Sequence, residues 1–132
     1  MANMFILISK NNQYSKPMTQ AEMKKELEGY INKESFGNLS QALNDVADGK
    51  GKATQPYTYP HGTENFPVLH ASSGKIGANA SISLFWYDKP RDKEKDHYII
   101  AMGEHTTSTT YYLAHYGQTE GDFKLKKTIK LS

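Results

Sequence analysis

The side chains of the stretch Ser81-Ile82-Ser83-Leu84-Phe85-Trp86-Tyr87 alternate along the chain. In an extended chain Ile82, Leu84 and Trp86 fall on one face, and the residues between them fall on the other. This alternation, with β-branched and aromatic residues, is typical of a β-strand. The charged segment 89–96 that follows predicts a hairpin tip, and residues 97–104 predict the strand that returns beside the first.

Two more strands are predicted downstream, at residues 110–116 and 122–131. In the last of them apolar residues share one face, while Lys124, Lys126 and Lys130 share the other. Residues 68–132 therefore predict a meander of antiparallel strands. Lysines on an edge strand also oppose edge-to-edge aggregation, so the lysine row fits either a protected edge or a track for RNA.

Two helices are predicted before the meander, in about residues 1–50. Thr19 and Glu22 form a capping box, which starts the first helix at the following residue. The second helix begins near Asn38 and ends at Gly49, because glycine favours the left-handed conformation that terminates helices. Each helix carries a single apolar stripe, so both can cover one face of a sheet.

The connection over residues 50–67 shows no hydrophobic period and is rich in Gly, Pro, Thr and Tyr. This composition predicts a long loop, and such loops in compact domains are often functional. Near the N-terminus, Met4–Ile8 is apolar throughout and predicts a buried strand. The 132 residues are the length of one domain, residues 1–132. We expect an α+β fold, with the N-terminal helices packed on one face of a four- to five-stranded antiparallel sheet.

The composition excludes several classes of protein. The chain has no cysteine, which rules out disulfide frameworks, thiolate zinc sites and a cysteine nucleophile. No apolar run approaches the roughly 18 residues that cross a bilayer, so we expect no membrane span. The formal charge is +2, and the sixteen Lys and Arg residues include one arginine, Arg91. This charge permits nucleic acid binding without requiring it.

Candidate chemistry is concentrated in Gly103–Gly117, which holds two histidines, three tyrosines and five Ser or Thr residues. Within it, His105 titrates near neutrality and can act as a general acid or base. Lys75 lies in a glycine-flanked loop that can approach a phosphate, and His70 lies on the strand before it. The five histidines have no spacing typical of a zinc site, so we expect neither a metal nor another cofactor.

Histidine, lysine, hydroxyl and tyrosine side chains on one sheet face suit metal-independent cleavage of RNA, in which the ribose 2′-hydroxyl attacks its own phosphate. This reaction needs a base, an acid for the leaving oxygen and a cation for the phosphate. Tyrosines such as Tyr87, Tyr111 and Tyr112 offer flat faces on which unpaired bases stack. An equally direct interpretation is that these side chains solvate a sheet face that the helices leave uncovered.

The order of helices, loop and antiparallel meander carrying His, Lys, Thr and Tyr resembles the small microbial toxin ribonucleases, the group that includes barnase, EndoU and RelE-like domains. The resemblance implies metal-free cleavage of tRNA or translated mRNA on the open sheet face, and neutralisation by a cognate immunity protein or antitoxin. It implies His105 as general base or acid, His70 as the second such group, and Lys75 as the phosphate cation. The RNA contacts expected with these are Thr107 or Thr109, Tyr111 or Tyr112, Tyr87, Lys124 and Lys126.

Two other functions stay open at this point. A non-enzymatic binding module, such as an immunity or phage inhibitor protein, would dock a partner through the same face or the 50–67 loop. A structural or accessory protein would carry no chemistry. The ribonuclease is expected to act in the cytoplasm, with delivery from another cell as one route, and to arrest growth when expressed without a neutralising partner.

Overall fold

The computed structural model describes residues 3–9, 13–29, 31, 33–74, 81–103, 110–112 and 128–130, and of residues 9, 54–57, 110–112 and 128–130 it describes the backbone alone. The strands are β1 (Phe5–Ser9), β2 (Gln13–Tyr14), β3 (Lys52–His61), β4 (Glu64–Ser73), β5 (Ile82–Arg91), β6 (Glu94–Gly103), β7 (Thr110–Tyr112) and β8 (Thr128–Lys130). The helices are α1 (Gln20–Glu28) and α2 (Phe36–Ala47). In this described part of the chain, neither helix is long and apolar enough to cross a membrane.

Six strands form one mixed sheet in the order β2-β1-β6-β5-β4-β3, and β7 pairs with β8 in a separate antiparallel sheet. Within the large sheet β1 runs parallel to β6, and every other pair of neighbours is antiparallel. The fold is therefore α+β, as expected. The expected four to five antiparallel strands are corrected to six strands of mixed direction. The parallel pair can form because both helices lie between β1 and the later strands, which gives the chain length for a crossover.

Both predicted helices are present. The Thr19 hydroxyl accepts from the Glu22 N–H at 3.2 Å and the Glu22 carboxylate accepts from the Thr19 N–H at 2.9 Å, so the capping box is confirmed. α2 begins at Phe36, two residues before the predicted Asn38, because a 3-10 turn leads directly into it. The helix ends where predicted, and Gly49 has the left-handed φ of 71° that this position favours.

The predicted long loop over residues 50–67 is wrong, because this segment forms most of a β-hairpin. β3 and β4 pair antiparallel around a two-residue turn in which Gly62 has a φ of 63°. Their register shifts between Ala53 and Thr58, where residues 54–57 of β3 stand opposite Val68 alone. A bulge of this size interrupts the alternation that would otherwise have indicated a strand.

The two helices cover one face of the six-stranded sheet, here named the helix face. Trp86 is fully buried there, beside Ile82 and Leu84, as the alternation in β5 predicted. Each such side chain contributes about 1.5–3 kcal/mol to folding. The cluster comprises Phe5, Leu7, Met18, Met23, Leu27, Leu39, Ala42, Leu43, Val46, Ala71, Ile82, Leu84, Trp86, Ile99 and Met102.

The opposite face, here named the far face, is not the open polar surface that the sequence predicted. Val68, Phe85 and Tyr87 each have 0% of their surface exposed. They belong to a second buried cluster: Ile8, Tyr59, Val68, Phe85, Tyr87, Ile100 and Ala101. The sequence predicts Tyr87 to be accessible for base stacking, but the apolar surface of an aromatic ring is large enough to favour burial.

A β-bulge in β6 changes which residues face the helices. Ile99 and Ala101 pair with consecutive residues of β5, which leaves Ile100 as the extra residue. Strict alternation would place Ile100 and Met102 on one face and Ile99 and Ala101 on the other. The bulge instead puts Met102 on the helix face with Ile99, and Ala101 on the far face with Ile100.

Candidate functional site

A polar pocket lies where the C-terminal end of α2 meets β3. Its volume is about 270 Å³, and it is lined by Asp45, Lys50, Lys52, His70, Ala71 and Ser72. We name it the edge pocket, because β3 is the outermost strand of its sheet. One imidazole, two ammonium groups, a carboxylate and a hydroxyl therefore line the same space.

The turn that ends α2 returns the chain to the pocket. The Gly49 N–H donates to the Val46 carbonyl at 3.2 Å, and the Lys50 N–H donates to the Asp45 carbonyl at 2.9 Å. These two bonds form a Schellman motif, which reverses the chain through a left-handed residue. Lys50 consequently stays beside Asp45, and β3 starts at Lys52.

Strand pairing brings His70 to the same place. Lys52 and His70 are paired residues of β3 and β4, so their Cβ atoms lie about 4.5–5.5 Å apart. His70 is 8% exposed, and its ring centroid lies 6.2 Å from that of Phe85. Two residues further along β4, the Ser72 hydroxyl hydrogen-bonds the Ser83 hydroxyl at 2.9 Å. The imidazole thus forms part of the pocket wall and leaves a small accessible edge.

The edge pocket holds the groups that acid–base chemistry on an anion requires. The imidazole of His70 can serve as a general acid or base, and the carboxylate of Asp45 can serve as a general base. The ammonium groups of Lys50 and Lys52 supply positive charge for a phosphate. Across the described ranges, no group of three His or carboxylate side chains is placed to hold a metal ion.

A second histidine, His61, lies at the other end of the β3–β4 hairpin among aromatic rings. The ring of Tyr14 stacks on its imidazole, with 5.1 Å between centroids and 5° between planes. The rings of Phe66, Tyr87 and Tyr98 meet it at 87°, 76° and 77°. The Tyr87 hydroxyl lies 2.9 Å from Nδ1 of His61, within hydrogen-bonding distance. We name these five residues the His61 cluster.

The His61 cluster favours uncharged side chains. Burial lowers the pKa of His61, the positive charge of Lys89 lowers it further, and Glu64 acts weakly in the opposite direction. Burial also raises the pKa of the Tyr87 and Tyr98 hydroxyls. A neutral imidazole can accept a hydrogen bond from a neutral phenol, so the contact at Nδ1 agrees with these directions.

A third histidine, His97, is fully buried where β1 meets β6. Its Nδ1 donates to the Asp88 carboxylate at 2.6 Å, and the Asn3 amide donates to its Nε2 at 3.3 Å. The Trp86 indole donates to the same carboxylate at 3.0 Å, and the Lys95 ammonium lies 3.6 Å from it. Both ring nitrogens of His97 have protein partners, so we assign it the role of fastening β6 to β5 through Asp88 and to the residues before β1 through Asn3.

The structure places two of the predicted site residues in separate sites. His70 lines the edge pocket, and Tyr87 belongs to the His61 cluster. Tyr87 is 0% exposed, with the ring of Tyr98 stacked on it at 4.9 Å, so it offers no free face to a base. Its predicted stacking role is therefore not available in this arrangement.

The other predicted residues are not tested. Tyr111 and Tyr112 lie in β7, whose backbone alone is described. Six more lie outside the described residues: His105, Lys75, Thr107, Thr109, Lys124 and Lys126.

The sequence pattern did not single out the three charged residues of the edge pocket: Asp45, Lys50 and Lys52. The pattern marks Asp45 as an ordinary polar position of a helix and assigns both lysines to a loop. The signal that could have found them is the run Gly49-Lys50-Gly51-Lys52 directly after the helix. A left-handed glycine there reverses the chain and carries the lysines back past the last turn of the helix.

No family model, no curated protein and no solved structure matches this chain. The resemblance to toxin ribonucleases therefore stays a prediction. A proposal of function depends on the side chains of the edge pocket and the His61 cluster.

Proposed function

We propose that the chain is a metal-independent endoribonuclease of toxin type, with tRNA as the first substrate to test. The observation that supports this proposal is the edge pocket, in which His70 stands among two lysines and Asp45. A histidine beside cations and a carboxylate is a set of groups that suits transfer of a phosphoryl group between two oxygens of RNA.

In the proposed reaction the ribose 2′-oxygen forms a bond to the adjacent phosphorus while the bond from phosphorus to the 5′-oxygen breaks. One pocket group takes the proton of the 2′-hydroxyl, and another gives a proton to the leaving 5′-oxygen. His70 and Asp45 are the described candidates for these two roles, and Lys50 and Lys52 offset the charge that builds on the phosphate. The products are a 2′,3′-cyclic phosphate and a 5′-hydroxyl.

The proposal also includes the predicted roles of His105 as general acid or base and of Lys75 as the cation that contacts the phosphate. Lys75 comes two residues after the end of β4 in the sequence and lies outside the described residues. As a toxin the protein would act in the cytoplasm, with delivery from another cell as one route. It would then have a cognate immunity protein or antitoxin as partner.

The proposal is tested by incubating the purified protein with total tRNA and with mRNA at neutral pH in the presence of EDTA. Cleavage with new 5′-hydroxyl ends is expected. His70→Asn should slow cleavage by about 10²–10⁴-fold, the range that general acid–base groups contribute. Lys50→Ala and Lys52→Ala should each slow it, whereas the matched control Lys25→Ala, an exposed lysine of α1, should not.

Thermal unfolding of each variant separates loss of chemistry from loss of fold. Intact RNA with the wild-type protein would remove the proposal. If His70→Asn cleaves RNA as fast as the wild type, the edge pocket is not the catalytic site. His105→Ala would then test the other predicted general base. Growth arrest on expression, relieved by His70→Asn, is the expected result in cells.

A non-enzymatic binding module is the second candidate. The observation that favours it is the 8% exposure of His70, which leaves a substrate little of the imidazole to touch. Such a module should be tolerated by a growing host, and its histidines should be insensitive to added RNA in NMR spectra.

A further inference from the structure

Tyr14 is the one large hydrophobic residue of the described chain that is exposed, with 46% of its surface accessible. It lies on β2, a strand of two residues that pairs with the end of β1. The next residue fastens this strand, because the Ser15 N–H donates to the Leu7 carbonyl at 2.9 Å and the Ser15 hydroxyl accepts from the Leu7 N–H at 2.9 Å. The backbone that carries the exposed ring is therefore fixed.

The ring of Tyr14 is fixed as well. It lies parallel to the imidazole of His61, and the ring of Tyr98 meets it at 74° with 5.6 Å between centroids. Its hydroxyl lies 3.4 Å from Nδ1 of His61. An exposed aromatic side chain held by three contacts loses little conformational entropy when a ligand binds, which favours its use as a contact surface.

A cation acts on the imidazole that stacks on this ring. Burial lowers the pKa of His61, the positive charge of Lys89 lowers it further, and Glu64 acts in the opposite direction. The other cation of β5, Arg91, is already paired with Asp96 at 2.9 Å. A flat exposed ring suits stacking of an unpaired base, and a lysine acting on the same cluster suits the phosphate that the base carries.

We infer that the stacked pair of Tyr14 and His61 is a second RNA contact, on which one unpaired base of a single strand stacks through the ring of Tyr14. This inference rests on the proposed function and names its substrate class as single-stranded RNA. The contact lies away from the edge pocket, because His61 pairs with Glu64, and Glu64 comes six positions before His70 along β4. At 3.3 Å per residue the separation is about 20 Å, the length of about six stacked nucleotides.

The test uses a labelled single-stranded octamer of 2′-O-methyl RNA, which cannot be cleaved because it lacks the free 2′-hydroxyl. Binding is followed by fluorescence anisotropy at low salt. Tyr14→Ala should weaken binding by about 5- to 150-fold, the effect of losing one stacked base, and Tyr14→Phe should bind within about twofold of wild type. Gln13→Ala, an exposed neighbour on the same strand, is the matched control and should bind as wild type.

A second octamer with the same backbone and no bases separates stacking from charge. Loss of the bases should weaken wild-type binding and abolish the difference between wild type and Tyr14→Ala. The inference is overturned if the wild-type protein does not bind the octamer, if Tyr14→Ala binds as wild type, or if Tyr14→Ala weakens both octamers equally. Cleavage that depends on His70 while Tyr14→Ala binds normally would remove this contact and leave the ribonuclease proposal intact. Binding that depends on the bases, in a protein that cleaves no RNA, would support the Tyr14 contact and remove the ribonuclease proposal.

Discussion

Replacing His97 by leucine should lower the free energy of unfolding by about 2–4 kcal/mol. The hydrogen bond from the imidazole to the Asp88 carboxylate is 2.6 Å long, and a bond to a charged group contributes about 1.5–3 kcal/mol. The bond from the Asn3 amide is between neutral groups at 3.3 Å and adds about 0.5–1.5 kcal/mol. Leucine is an apolar residue of broadly similar size, so the loss should come mainly from these polar contacts. The total free energy of unfolding of a native protein is about 5–15 kcal/mol, so this loss would be a large part of it.

Asp88 determines how large the loss is. After the substitution its carboxylate keeps the Trp86 indole at 3.0 Å and the Lys95 ammonium at 3.6 Å, and its side chain is 17% exposed. Water can therefore compensate only in part for the lost hydrogen bond from the His97 imidazole to this carboxylate. Removing the charge as well, in His97→Leu with Asp88→Asn, should cost less than the sum of the single changes, with a coupling energy of about 1–2 kcal/mol.

Urea unfolding measures these differences, followed by the fluorescence of Trp86, which is the single tryptophan and is fully buried. Circular dichroism provides a second signal that does not depend on the indole's own hydrogen bond. The midpoint should fall with little change in the denaturant slope. A loss below about 1 kcal/mol for His97→Leu, or single losses that add within about 0.3–0.5 kcal/mol, would refute the assigned role.

Three further predictions concern other parts of the molecule. A Cβ on Gly51 would overlap the indole of Trp86, so Gly51→Ala should destabilise the fold by about 1–3 kcal/mol. Gly37 has open space around it, so Gly37→Ala should stabilise α2 by up to about 1 kcal/mol, and the same urea assay measures both changes. Because the pKa of His61 is lowered on folding, stability should be full above about pH 6.5 and fall as the pH decreases below it, and His61→Gln should reduce that dependence of the urea midpoint. Thr19→Ala should lower the thermal midpoint through a loss of about 1 kcal/mol, and an unchanged midpoint would contradict the importance of the capping box.

Much of the fold follows from local patterns in the sequence. The capping box at Thr19 and the left-handed Gly49 act within one helical turn, so they can be recognised without knowing the rest of the structure. The alternation in β5 likewise depends on a single extended segment. What could not be predicted is where alternation is interrupted, because the bulges at residues 54–57 and at Ile100 are defined only against a partner strand.

The candidate site was predicted only in part for the same reason. His70 was selected from its residue type, but its neighbours Lys50 and Lys52 come from a segment that was predicted to be a loop. Their proximity depends on the pairing of β3 with β4. The bulge in β3 interrupts the alternation of side chains, so the sequence does not predict this strand or its pairing. Tyr87 shows the opposite error, because alternation gives its face correctly but cannot show that this face is buried.

The buried centre of the far face predicts that the edge pocket and the Tyr14 contact act independently. On this face Val68 lies two residues before His70 on β4, Phe85 pairs with His70, and both are buried apolar side chains. Tyr14→Ala should therefore raise KM for a cleavable RNA and leave kcat unchanged, whereas His70→Asn should lower kcat, and the two effects on kcat/KM should multiply in the double variant. Single-turnover and steady-state kinetics measure both constants. A fall in kcat with Tyr14→Ala would contradict the independence and would indicate that a base held at Tyr14 aligns the phosphate in the edge pocket.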